Sequence, residues 1–137
     1  MEETPLHILL VDDERISREV ETHLLRSGGC TVTSASLPSE ALDTFLSLKD
    51  QIDVVVLDML MPEMNGKDLF IKLQQIKPGV KAVLLSGYGE NKDILEVLNR
   101  GMYACMQKPV SRQELLSTVF AAAGSEAEQQ RYPGIDD

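Results

Sequence analysis

The chain has 137 residues, 43% hydrophobic and 26% charged, with a formal net charge of -9. This is the size and composition of one globular domain whose core needs neither disulfides nor a structural metal. No apolar run approaches the roughly 18 residues of a membrane span, and Glu2 and Glu3 stand where a signal peptide is basic. The acidic balance opposes nucleic acid as a direct partner, and Cys30 and Cys105, widely spaced and most simply buried small hydrophobes, suit a reducing cytoplasm.

Short apolar runs alternate with longer segments of helical period, which predicts an α/β domain with a parallel sheet covered by helices on both faces. His7 to Asp12 reads as the first strand, and Ile16, Val20 and Leu24 recur at helical spacing until Gly28-Gly29 stops the helix. Cys30 to Ala35, alternating in polarity, reads as a strand near an edge, and Pro38 fits the first turn of a helix whose buried stripe is Leu42, Phe45 and Leu46. Asp53 to Asp58 is apolar between its ends, as expected of a central strand. Leu69, Leu73 and Ile76 mark the third helix, ended by Pro78-Gly79. Val80 to Ser86 is the fourth strand, Leu95, Leu98 and Met102 mark the fourth helix, and Tyr103 to Gln107 is a short fifth strand. Ser111 to Glu114 has the form of a capping box opening the last helix, with Leu115, Leu116, Val119 and Phe120 on its core face. After Gly124 the chain turns polar, so residues 1–124 read as the domain and 125–137 as a tail or linker.

Open parallel sheets carry their functional groups at the carboxyl ends of the strands. Here the apolar runs end in Asp12-Asp13, Asp58, Ser86 and Lys108-Pro109. Carboxylates gathered there repel, by on the order of 4 kcal/mol for a pair about 4 Å apart at an effective dielectric of 20. A hard divalent cation with oxygen ligands answers that repulsion, and Mg²⁺ suits a site with a few carboxylates that also takes ligands from a phosphate. A carboxylate beside a metal and the Lys108 ammonium is equipped for phosphoryl transfer, with the Ser86 hydroxyl available to a phosphoryl oxygen. Singly, each residue has a plainer reading: a strand-end Asp as a turn former, Ser86 as a turn residue beside Gly87, Lys108 as a solvated charge. Gly66 reads as a structural residue supplying a loop conformation.

Val11-Asp-Asp-Glu14, Asp58-Met-Leu-Met-Pro62 with Asn65-Gly66, Ser86-Gly87-Tyr88 and Lys108-Pro109 together resemble the receiver domains of bacterial two-component response regulators, over roughly residues 6 to 122. The resemblance implies a flavodoxin-like, doubly wound sheet of five strands in order 2-1-3-4-5. It implies Asp58 as acceptor of a phosphoryl group from a histidine kinase or histidine phosphotransfer protein. It further implies Mg²⁺ held by Asp12, Asp13, Asp58 and the backbone carbonyl of Leu60, with Lys108 binding the phosphoryl group, Ser86 as the switch hydroxyl, and a cis Lys108-Pro109 bond. Such a domain is a cytoplasmic signalling module, not a turnover enzyme. It acts on an output domain or effector, with homodimerisation on phosphorylation as one further outcome.

Two departures from the family pattern stand out. An aromatic residue usually lies three positions before the lysine, where this chain has Cys105, so coupling from Ser86 to the output surface is expected to be altered. A redox role for Cys105 is the weaker alternative. Leu60 and Tyr88 flank the acceptor and the switch hydroxyl; both are bulky and neither is an acid or amide that would orient water, which predicts slow self-dephosphorylation. A phosphatase with an Asp nucleophile normally has a second Asp two positions on, and Leu60 occupies that place. The other rival is a receiver-like interaction module that signals without phosphate.

Overall fold

The computed structural model describes residues 4–87 and 93–124. Among them the chain forms β1 (His7–Val11), α1 (Arg15–Ser27), β2 (Thr31–Ala35), α2 (Pro38–Leu48), β3 (Val54–Asp58), α3 (Gly66–Ile76), β4 (Ala82–Ser86), α4 (Ile94–Asn99), β5 (Ala104–Gln107) and α5 (Arg112–Ala123). The strands are parallel and lie in the order β2-β1-β3-β4-β5. This is the expected doubly wound arrangement. The polar segment 125–137 and Tyr88 lie outside the described residues.

The central strands are buried on both faces, which is why β3 and β4 read as unbroken apolar runs. Alternate residues feed two cores. Leu9, Val11, Val55, Leu57, Ala82 and Leu84 pack with Phe45, Leu69, Phe70, Leu73 and Val97 from α2, α3 and α4. Ile8, Leu10, Val54, Val56, Val83 and Leu85 pack with Leu25 of α1 and with Leu115, Leu116, Val119 and Phe120 of α5. The capping box of α5 is present, with Glu114 N–H donating to Ser111 Oγ and Ser111 N–H to the Glu114 carboxylate.

Three helical stripes differ from the sequence reading. In α1 the inward line runs through Glu21 and Leu25, leaving Ile16 70% and Val20 52% exposed. In α2 the buried residues are Pro38, Ala41 and Phe45, while Leu46 faces solvent. The fourth helix is short, buries Val97, and exposes Leu95 and Leu98; Met102 lies beyond its end and is buried. In α2 apolar residues occupy two adjacent lines of the helix and the sheet takes only one of them, whereas in α1 the line taken includes the charged Glu21.

Gly66 is needed for close approach, since its φ is not in the left-handed region. A Cβ there would collide with the Asp58 carbonyl oxygen and come within 2.7 Å of Leu84 Cδ1, because Gly66 N–H donates to the Met59 carbonyl at 2.7 Å and seats α3 against the end of β3. Gly66→Ala is therefore expected to destabilise the fold by about 1–3 kcal/mol, read from the midpoint of urea unfolding at unchanged m-value.

Candidate phosphoacceptor site

Register brings the strand-end residues level. Val11 pairs with Leu57, so the next residues, Asp12 and Asp58, emerge side by side. Asp58 pairs with Leu85, Ser86 with Gln107, and Lys108 N–H donates to the Ser86 carbonyl at 2.8 Å. The crevice between these ends thus receives Asp12, Asp58, Ser86 and Lys108, as the sequence predicted. Asp12, Asp58 and Ser86 are buried, and Asp13 is more open to solvent.

One carboxylate oxygen each from Asp12, Asp13 and Asp58 lies within 4.8 Å of the others, a hard, all-oxygen donor set that fits a divalent cation of the Mg²⁺ type. Lys108 Nζ stands 3.0 Å from Asp12 Oδ2 and 3.2 Å from Asp58 Oδ1. Asp12 is further fixed by its own backbone: its Oδ1 accepts from Glu14 N–H at 2.9 Å, and its carbonyl accepts from Arg18 at 2.8 Å. Burial pushes the Asp58 carboxyl up to about 6 against the pull of Lys108, with Asp12 adding to the rise. Removal from water raises the free energy of the Asp58 charge, which nearby cations and hydrogen-bond donors offset.

Leu60 follows β3 in the loop to α3, with its side chain 59% exposed. Cys105 lies away from the crevice, opposite Leu84 in the sheet and packed on the core. Burial pushes its thiol up to about 11, away from the thiolate form that reacts most readily. The Lys108–Pro109 bond is cis.

Sequence reasoning missed Glu21. It is buried on α1 with Oε2 3.7 Å from Lys108 Nζ, and its Oε1 has no hydrogen-bond partner. Burial first, then the neighbouring Asp12, push its carboxyl up to about 8, while Lys108 pulls it down. The available signal was its place four residues before Leu25, on the line that the core takes.

The chain matches the response regulator receiver domain over residues 8–120. It is similar to the transcriptional regulatory protein GlrR of Escherichia coli K12, 28% identical over all of this chain and 29% of the relative. The sensor kinase CckA of Brucella abortus is 35% identical over 82% of this chain and 12% of the relative. A crystal structure of a response regulator receiver domain protein from Clostridium thermocellum superposes with a TM-score of 0.84 at 30% identity, covering 87% of this chain and 94% of that one. This chain belongs to the response regulator receiver domain family, the signalling module of two-component systems. It spans less than a third of the length of these two curated relatives.

The pocket makes the metal-free fold pH-dependent. Glu21 and Asp58 are both raised in the folded state, so the stability linked to them is full below their ordinary values, near 4.5 and 3.8, and is lost as pH climbs towards about 8 and 6. In chelator-containing buffer the urea midpoint should fall between pH 5 and pH 8, and Glu21→Gln should flatten that fall.

Proposed function

We propose that this domain takes a phosphoryl group on Asp58 from a histidine kinase or histidine phosphotransfer protein and thereby switches a partner-binding surface. The observation that carries the reading is the meeting of Asp58 with Asp12, Asp13 and Lys108 at adjacent strand ends. Phosphoryl transfer requires chiefly positioning and electrostatic stabilisation, and this pocket supplies both.

In the transfer, an Asp58 carboxylate oxygen forms a bond to phosphorus as the donor's P–N bond breaks, and the departing imidazole nitrogen keeps the electron pair and takes up a proton. Lys108, within 3.2 Å of Asp58, neutralises charge on the transferred group. Asp12, Asp13, Asp58 and the Leu60 carbonyl would hold Mg²⁺, which supplies electrostatic stabilisation of the phosphoryl oxygens. Ser86, at the end of the neighbouring strand, offers a hydroxyl that reports the phosphoryl group by hydrogen bonding. The domain acts on itself alone, in the cytoplasm, and passes the signal to an output domain or effector, with homodimerisation as one means. Cys105, small where an aromatic side chain is usual, makes the step from Ser86 to the surface weaker than in most of the family.

Incubation with Mg²⁺ and acetyl phosphate, followed by intact mass measurement, should show one added phosphoryl group in the wild type and none in Asp58→Asn. No adduct with this donor or with a phosphorylated kinase favours the phosphate-independent module. Release of phosphate from unrelated esters at many turnovers per protein revives the phosphatase reading. The acyl phosphate should also persist for minutes or longer in the purified protein with Mg²⁺, because Leu60 and Tyr88 are bulky and neither is an acid or amide that would position a water nucleophile. A half-life of seconds refutes that second expectation.

A further inference from the structure

The loop from β3 to α3 follows Asp58 and carries Leu60. It also contains the one residue other than glycine with a left-handed backbone among the described residues, Glu63 at φ 72°. Met64 N–H donates to the Pro62 carbonyl at 2.8 Å, so Glu63 is the centre of a three-residue turn of the rare, strained hand. A glycine would make that turn without strain. Other residues persist in such a conformation where their surroundings over-determine it. Here the Glu63 carboxylate crosses to the start of α2, where Oε1 accepts from Ser39 N–H at 2.9 Å and Oε2 from Ser39 Oγ at 3.0 Å.

The plainest account of this contact is a helix cap. Ser39 N–H is one of the donors that the first turn of α2 leaves without an intrahelical acceptor, and Leu37, at the N-cap, has no side chain to take it. A cap alone does not call for a strained turn, because a serine or aspartate at position 37 would supply one locally. What the remote carboxylate adds is a tie between α2 and the loop.

That tie bears on Leu60. Met59 is pinned on both sides, its N–H donating to the Leu85 carbonyl at 2.9 Å and its carbonyl accepting from Gly66 N–H at 2.7 Å. Among the described residues, Leu60 and Met61 make no backbone hydrogen bond. Their peptides are oriented by what holds the two ends, Met59 on one side and the turn at Glu63 on the other. Met61 and Met64 pack against the core, but methionine side chains are adaptable and leave the peptides room to rotate. The polar hold on the turn is the clamp from Glu63 to Ser39.

We propose that Glu63 is a positioning residue of the cation site: its clamp on Ser39 fixes the peptide that presents the Leu60 carbonyl and so raises the affinity of the pocket for Mg²⁺. The inference rests on the proposed function, in which that carbonyl is a ligand. A group held in place before its partner arrives costs less to order on binding, and contacts that orient a metal ligand are felt in metal affinity.

Amide NMR titration of the full chain with Mg²⁺ reads the affinity of the wild type, Glu63→Gln, Glu63→Ala and Glu63→Gly, and urea unfolding reads their stability. Glu63→Gln loses the charge and keeps both contacts, since its amide oxygen accepts from Ser39 N–H and its NH₂ group donates to Ser39 Oγ. It should bind Mg²⁺ within about twofold of the wild type, whereas Glu63→Ala and Glu63→Gly should bind on the order of fivefold more weakly. Glu63→Gly relieves the strain of the turn, so it should unfold at higher urea than Glu63→Ala while binding Mg²⁺ no better. A cap that served only the fold would move the urea midpoints and leave Mg²⁺ affinity alone. An effect of charge would weaken Glu63→Gln as much as Glu63→Ala. Either result overturns the proposal, as does failure of both Glu63→Ala and Glu63→Gly to unfold cooperatively. Variants that match a wild type able to bind Mg²⁺ and take the phosphoryl mass overturn this inference alone. A wild type without Mg²⁺ binding overturns it too, and one that also takes no phosphoryl mass from a phosphorylated kinase overturns the acceptor reading with it.

Discussion

The ammonium of Lys108 is the contact on which the pocket depends. A parallel sheet brings its strand ends to one line whatever they carry, and here two of them, β1 and β3, carry three carboxylates into a crevice where Asp12 is fully buried. Buried carboxylates left without a cation either take up protons or destabilise the fold. Lys108, arriving from the end of the edge strand β5, reaches Asp12, Asp58 and Glu21 at once. One positive charge among three acidic groups, with Asp13 beside them, still leaves the site short of cations. That deficit is what a divalent cation answers.

The same deficit explains why Asp58 is a poor resting anion. Burial raises Asp58 and Lys108 lowers it, so its charge is held in balance by a single neighbour. A phosphoryl group on Asp58, as proposed, would add negative charge where the pocket is already short of cations, and the response would come through Lys108, Ser86 or bound cations. Rearrangement on phosphorylation would then begin as redistribution of a few donors among a surplus of acceptors. Large movements of the core are not required for it, since β3 and β4 are packed on both faces.

The strands and their terminal residues were legible in the sequence because a doubly buried strand must be apolar to its end, so that the first polar residue marks the crevice; the strand order came only with the family resemblance. Val54 to Leu57 followed by Asp58 is the clearest case. The helical faces were less legible. Ile16, Val20 and Leu24 have the spacing of a core stripe, but the sheet takes the line through Glu21 and Leu25, one residue further round. Apolar residues turned to solvent have the same periodicity as those turned inward. Glu21 was hidden for the converse reason: a glutamate in a helix usually marks the solvated side, and only the arrival of Lys108 from 87 residues later in the chain makes its burial tolerable.

The helix that follows β4 differs in kind from the others. The fourth helix buries Val97 while exposing Leu95, and Lys67 of α3 reaches across to Asp93 at 3.8 Å and Glu96 at 3.2 Å. Half-exposed ion pairs hold an element only weakly, because both ends are nearly as well served by water. An element with little buried area and polar ties is the one that moves at least cost when a neighbour shifts. Cys105 on β5 pairs with Leu84 and packs against the same core that Val97 enters. A thiol there fills less of that space than an aromatic ring and offers fewer contacts through which a displaced strand end can push. On the proposed function, a loosely held helix would be present while the side chain next to it is small, and transmission would fall to backbone contacts such as that from Lys108 N–H to the Ser86 carbonyl.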